Sequence, residues 1–149
     1  MKTLVVYDSA YGNTKKIAES IGAAIAGDVK VVSAGEADLS GLKSPDLLIV
    51  GSPTYGGRPT PAMHGFLDKI PKGSLKGINV AAFDTRLPSK WVKLFGFAAG
   101  RIDGSLKSKG GTPVVPPEPF FVKGREGPLL DGEKERAAAW AKEITKGKK

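Results

Sequence analysis

The chain has no cysteine and only one histidine, His64. These absences exclude a disulfide framework, a cysteine-ligated zinc or iron–sulfur centre, a cysteine nucleophile and a multi-histidine metal site within one chain. No apolar run approaches the roughly 20 residues of a membrane-spanning helix. Met1-Lys2-Thr3 leads straight into a strand-like run without the layout of a signal peptide, so the cytoplasm is the expected location. What is present is ordinary globular composition: 149 residues, 40% hydrophobic and 26% charged. That size and balance lead to the expectation of one domain over residues 1–149 with its own core, and argue against wholesale disorder. Acidic residues are the scarcer sign, 15 against 23 Lys plus Arg, for a net charge of +8. The excess is uneven. Residues 1–75 hold 8 basic and 7 acidic side chains and residues 76–149 hold 15 and 8, so the halves carry +1 and +7. The last residues, about 146–149, read as a frayed basic tail.

Short apolar runs alternate with amphipathic ones. Leu4 to Tyr7, Val29 to Val32, Leu47 to Val50 and Ile78 to Phe83 read as strands; the third is apolar throughout, as expected when both faces of a sheet are covered. A fifth strand is expected from Val114-Val115 and Phe120-Phe121-Val122, interrupted by Pro116-Pro117. Helices are expected over 15–26 (Ile17, Ile21 and Ile25 four apart), 61–69 (opened by Pro61), 89–108 and about 132–145, the last with Asp131 as N-cap. This β-α alternation implies an α/β sandwich of three layers, with a five-stranded parallel sheet between helices. Right-handed crossovers make the strand order 2-1-3-4-5 one of two common solutions.

Ligands of such sheets bind beyond the carboxyl ends of the strands, near the switch point. After the first strand come Ser9, Ala10, Tyr11, Gly12, Asn13 and Thr14, then a helix. Hydroxyls and an amide beside a helix N-terminus, with its free N–H groups and positive dipole end, make a phosphate cradle without lysine. Capping alone needs one such residue, not four polar groups in six positions. The segment is neither G-x-x-x-x-G-K-[ST] nor G-x-G-x-x-G, so nucleoside-triphosphate chemistry and a dinucleotide site lack their motifs there. After the third strand come Pro53, Thr54, Tyr55, Gly56, Gly57 and Arg58: a ring able to stack, and glycines that let a ligand approach the backbone. After the fourth come Asp84, Thr85, Arg86 and Leu87, where backbone N–H groups could meet a polar ring edge or form an ordinary turn.

Ser9-Ala10-Tyr11-Gly12-Asn13-Thr14 resembles the [ST]-x-[TYF]-G-N-T phosphate loop of the flavodoxin family, at the place in the chain where that family has it. Gly51-Ser52-Pro53-Thr54-Tyr55 resembles the family's second FMN loop, and the resemblance spans essentially the whole chain. It implies the flavodoxin-like fold and non-covalent FMN as cofactor. Residues 9–14 would hold the phosphate, and residues 53–58 and 84–87 would flank the isoalloxazine. It also implies a monomeric carrier of single electrons between redox partner proteins. A peptide at Gly56 or Gly57 would turn over so that its carbonyl accepts a hydrogen bond from flavin N5–H, which would stabilise the neutral semiquinone.

Two departures stand out. Typical flavodoxins are strongly acidic, whereas Arg58 and Arg86 fall in the loops expected around this ring. A cation about 6 Å from the reduced flavin, at an effective dielectric near 20, contributes roughly 2–3 kcal/mol. That is about 100 mV for one electron before screening; otherwise both arginines are solvated charges. The third loop also lacks a tyrosine, so either Trp91 or Tyr55 covers the outer ring face or that face is open. An open face suits the alternative, a flavodoxin-like FMN oxidoreductase reducing a quinone or similar acceptor.

Lys90, Lys93, Arg101, Lys107 and Lys109 form either a docking surface for an acidic partner or a solvated helix face. Nucleic acid is not expected as a partner, since no recognised DNA or RNA module accompanies the charge. Trp140 reads as core, His64 as surface or capping, and Asp8 as turned away from the phosphate loop. Residues 118–130 either pack near the cofactor or contact a partner.

Overall fold

The computed structural model describes residues 1–37, 45–54, 57–88, 97–124 and 126–146. Its elements run β1 (Lys2–Tyr7), α1 (Asn13–Ala24), β2 (Asp28–Ser33), β3 (Leu47–Pro53), α2 (Pro61–Lys69), β4 (Asn79–Arg86), α3 (Ala98–Ser108), β5 (Thr112–Pro113), β6 (Glu118–Phe121) and α4 (Glu133–Lys146). All named strand pairs are parallel, in the order β2-β1-β3-β4-β5, with β6 also on β4.

The expected order holds, and the fifth position is split. β5 pairs with Asn79 and Val80 at the start of β4, and β6 with Phe83 to Arg86 at its end. Pro116 and Pro117 lie between them, where the missing N–H groups cannot continue a ladder. Val114, Val115 and Val122, expected in the strand, lie outside both pieces.

Strand alternation builds two cores. Val5, Leu47, Ile49, Ala81 and Phe83 face α1 and α4; Val6, Leu48, Val50, Val80 and Ala82 face α2 and α3. On the first face Trp140 packs edge-on against Phe83 and Phe120, with ring centroids 6.0 and 5.8 Å away. Gly51 lies opposite Phe83 in register, and a Cβ at Gly51 would come within 2.1 Å of that ring. The glycine is therefore a cross-strand niche for the phenylalanine.

Helix ends differ from expectation in detail. The helix expected over 89–108 is described from Ala98, with Phe97 extended at its N-cap; residues 89–96 lie outside the described residues. The last helix is capped by Gly132 rather than Asp131, since the Gly132 carbonyl accepts from Arg136 N–H at 2.9 Å. Lys146 closes α4, and residues 147–149 of the expected tail are outside the described residues.

Candidate functional site

The carboxyl ends of β1, β3 and β4 lie side by side, and their side chains are stitched together there. Thr14 and Thr85 share a hydroxyl–hydroxyl bond of 2.8 Å, joining the first segment to β4. Thr54 N–H donates to the Thr85 carbonyl at 3.0 Å, and its hydroxyl donates to Asp84 Oδ2 at 3.1 Å. The three segments singled out in the sequence therefore meet in one place.

In the first segment Gly12 adopts φ +89, a left-handed conformation that favours glycine, and its carbonyl starts α1 by accepting from Lys16 N–H. Ser9 Oγ accepts from the N–H groups of Gly12 (3.0 Å) and Lys15 (3.4 Å). A hydroxyl offers one donor and two acceptor positions, so the Ser9 O–H is left to donate. Among the described residues no acceptor meets the N–H groups of Asn13 and Thr14 in the first turn. The Asp8 carboxylate is turned to the Thr60 hydroxyl, which also caps α2, so this acid points away from the loop. Ala10 and Tyr11 are exposed. Donors around an open glycine turn suit a phosphate dianion.

In the second segment Pro53 is buried at the end of β3, and Thr54 faces both ways: besides Asp84, its hydroxyl accepts from Ala98 N–H at 3.0 Å. Gly57 has φ +78, and its carbonyl accepts from Arg101 Nε at 2.9 Å, which ties α3 to this loop. Arg58 is exposed. Tyr55 and Gly56 lie outside the described residues, as does Trp91, so the expected ring cover is not described.

The third segment requires correction. β4 continues through Arg86, so Asp84, Thr85 and Arg86 are strand residues rather than loop; only Leu87, exposed, lies beyond. Asp84 is fully buried and accepts from Arg86 Nε and Nη2 (both 2.8 Å), Ala99 N–H (3.0 Å) and Thr54. Its carboxylate fastens the start of α3 to the sheet and is not a free ring contact. Arg86, with a side chain 10% exposed, is neither a solvated charge nor an uncompensated cation. Its guanidinium is neutralised by Asp84 and lies 3.2 Å from the Phe97 ring centroid. Arg86 therefore lacks the uncompensated charge that the expected rise in potential requires of it.

Within residues 118–130, of which Arg125 lies outside the described residues, Glu126 meets the phosphate loop. Val122 and Leu129 form an antiparallel bridge, and Lys123 N–H donates to the Pro128 carbonyl at 2.8 Å, making a short hairpin. At its tip the Glu126 carbonyl accepts from Asn13 Nδ2 at 3.1 Å. Sequence reading missed this contact, although Gly124 and Gly127-Pro128 between Val122 and Leu129 carry a hairpin signal. Its base is anchored by Phe121 N–H to Glu133 Oε2 (2.8 Å), by Val122 N–H to the Arg86 carbonyl (3.0 Å), and by Arg136, which binds Glu133 and Glu118 and stacks on Phe120. Burial pushes the Glu133 carboxyl upward, but hydrogen bonds from Arg136 and Phe121 N–H, with the Arg136 charge, hold it below the usual range. His64 is exposed beside Asp68 at 3.7 Å, away from this cluster's contacts.

The flavodoxin family profile matches residues 5–140. The chain belongs to the flavodoxin family. A solved flavodoxin from the domain Archaea is 30% identical over 100% of both chains, with a TM-score of 0.83. Oxidised flavodoxin 2 from Bacillus cereus shares the fold at 24% identity and TM-score 0.83, covering 98% of this chain and 99% of that one. So does the rubredoxin:oxygen oxidoreductase of Desulfovibrio gigas, at 22% identity and TM-score 0.77, where the match covers 97% of this chain and 35% of the larger one. Comparison with curated protein sequences gave no match. Flavodoxin membership implies a flavin cofactor. Among the described residues no helix is long and apolar enough to cross a membrane, and no cluster of metal-ligating side chains occurs.

Proposed function

We propose that this flavodoxin binds FMN non-covalently and carries single electrons between redox partner proteins. The observation that carries the reading is the donor cradle of residues 9–14, with Asp8 turned away from it, set beside the ends of β3 and β4. Ser9, Asn13, Thr14 and the first-turn N–H groups of α1 would hold the phosphate. Segments 53–58 and 84–87 would bracket the ring, with Leu87 offering backbone groups and Asp84, Thr85 and Arg86 acting as scaffold. FMN supplies the electron chemistry; the protein supplies binding, orientation and the local field. Asp84 brings Arg86 to local neutrality, so Arg58 is the charge of these segments that acts on the ring. No side chain is assigned as nucleophile or base, because electron transfer requires none.

Acidic proteins are the proposed partners. The net charge of +8, with exposed Arg58, Arg101 and Lys107, would steer them, so transfer rates should fall as salt rises. Stepwise anaerobic reduction of the protein with added FMN, followed by absorbance, tests the main reading. Saturable binding and a distinct one-electron-reduced spectrum are expected. Direct two-electron bleaching would instead favour an oxidoreductase acting on a quinone or similar acceptor. Absence of FMN binding would overturn the reading.

A further inference from the structure

We propose that the 122–129 hairpin is a clamp that sets the phosphate loop before the cofactor arrives, with Gly127 and the Glu126 carbonyl as its positioning groups. The inference rests on the FMN reading above and assigns a role to a segment outside the three loops.

Asn13 is the loop's one side-chain amide, and it is buried. An amide of this kind has two N–H donors on one nitrogen. One is taken by the Glu126 carbonyl at 3.1 Å, which fixes the plane of the group and leaves the second N–H to donate. Gly127 then closes the space behind it. A Cβ at Gly127 would lie 2.6 Å from Asn13 Oδ1 and 2.7 Å from Nδ2, and Gly127 sits at φ +102 besides. No larger residue fits there without displacing the Asn13 amide.

The hairpin can impose this position because its base is fixed. Val122 N–H is held by the Arg86 carbonyl of β4, and Phe121 N–H by Glu133 of α4. Gly127 N–H donates to the Gly124 carbonyl at 2.9 Å and closes the tip turn. A donor fixed in advance loses less freedom on binding than one that must be ordered by the ligand. The clamp therefore acts on the phosphate and not on the ring. It acts through a main-chain carbonyl.

The test compares FMN with riboflavin, which has the same ring and no phosphate, by titration of flavin fluorescence. Gly127→Ala should weaken FMN binding about tenfold, equivalent to about 1.4 kcal/mol. Riboflavin affinity should change less than about threefold on the same scale. If Gly127→Ala weakens both flavins alike, or neither, the clamp is overturned while the FMN reading stands. If the wild-type protein binds neither flavin, the FMN reading falls and the clamp with it. Should Gly127→Ala fail to fold, the flavin-free wild-type protein still decides by NMR. The Asn13 side-chain amide should be as rigid as the backbone and close to Gly127 before any flavin is added, and a freely averaging amide would overturn the clamp.

Discussion

Replacing Asp84 with asparagine probes the joint on which the site stands. The Asp84 carboxylate is fully buried and serves Arg86 twice, the Ala99 N–H once and the Thr54 hydroxyl once. Asparagine keeps one acceptor oxygen but turns the other into a donor facing donors, and it leaves the nearly buried Arg86 charge without its counter-ion. Removing one partner of a buried pair costs about 3–5 kcal/mol, because the remaining charge stays desolvated and unpaired. At about 2–4 °C per kcal/mol for a chain of this size, Asp84→Asn should lower the melting temperature by roughly 10 °C. Urea unfolding should show a lower midpoint with an unchanged slope. Arg86→Met added to Asp84→Asn should restore part of the loss, since no unpaired charge then remains. A single-variant loss below about 1 kcal/mol, or a double-mutant coupling below about 0.5 kcal/mol, would refute the reasoning.

Gly51→Ala should cost about 1–3 kcal/mol in urea unfolding, because its Cβ would overlap the Phe83 ring in a core already filled by Phe120 and Trp140. Glu133 is held below the usual glutamate range, so its pairing stabilises the fold at neutral pH. That contribution is lost as pH falls through its lowered folded value, beneath about pH 4.3. Glu133→Gln should therefore lower neutral stability and flatten the acid limb of a stability-against-pH curve. Asp103 is opposite in sign. Burial raises its carboxyl, Lys107 only partly offsets this, and among the described residues Oδ1 has no partner. Its penalty is present at neutral pH and relieved as pH falls through the raised value, so Asp103→Asn should match or exceed the parent in thermal stability at pH 7.

Residue patterning was enough for the layer architecture and cut the strand order to two common solutions, between which the flavodoxin resemblance chose. A strand apolar throughout, such as Leu47 to Val50, must be covered on both faces, and the crossover rule leaves few ways to connect such strands. It also marked the phosphate loop, because residues 9–14 put their donors in one contiguous turn whose chemistry is local. What tertiary structure decided is which charges survive and which distant segments meet. Arg86 reads as a loop cation in sequence, but three more residues of β4 ladder, with Asp84 buried among them, make it half of a neutral scaffold pair. Thr14 and Thr85 stand 71 positions apart, and Asn13 and Glu126 stand 113 apart. No local pattern contains such pairings; they exist because parallel strands bring every carboxyl end to one edge, where residues remote in the chain complete each other's hydrogen bonds.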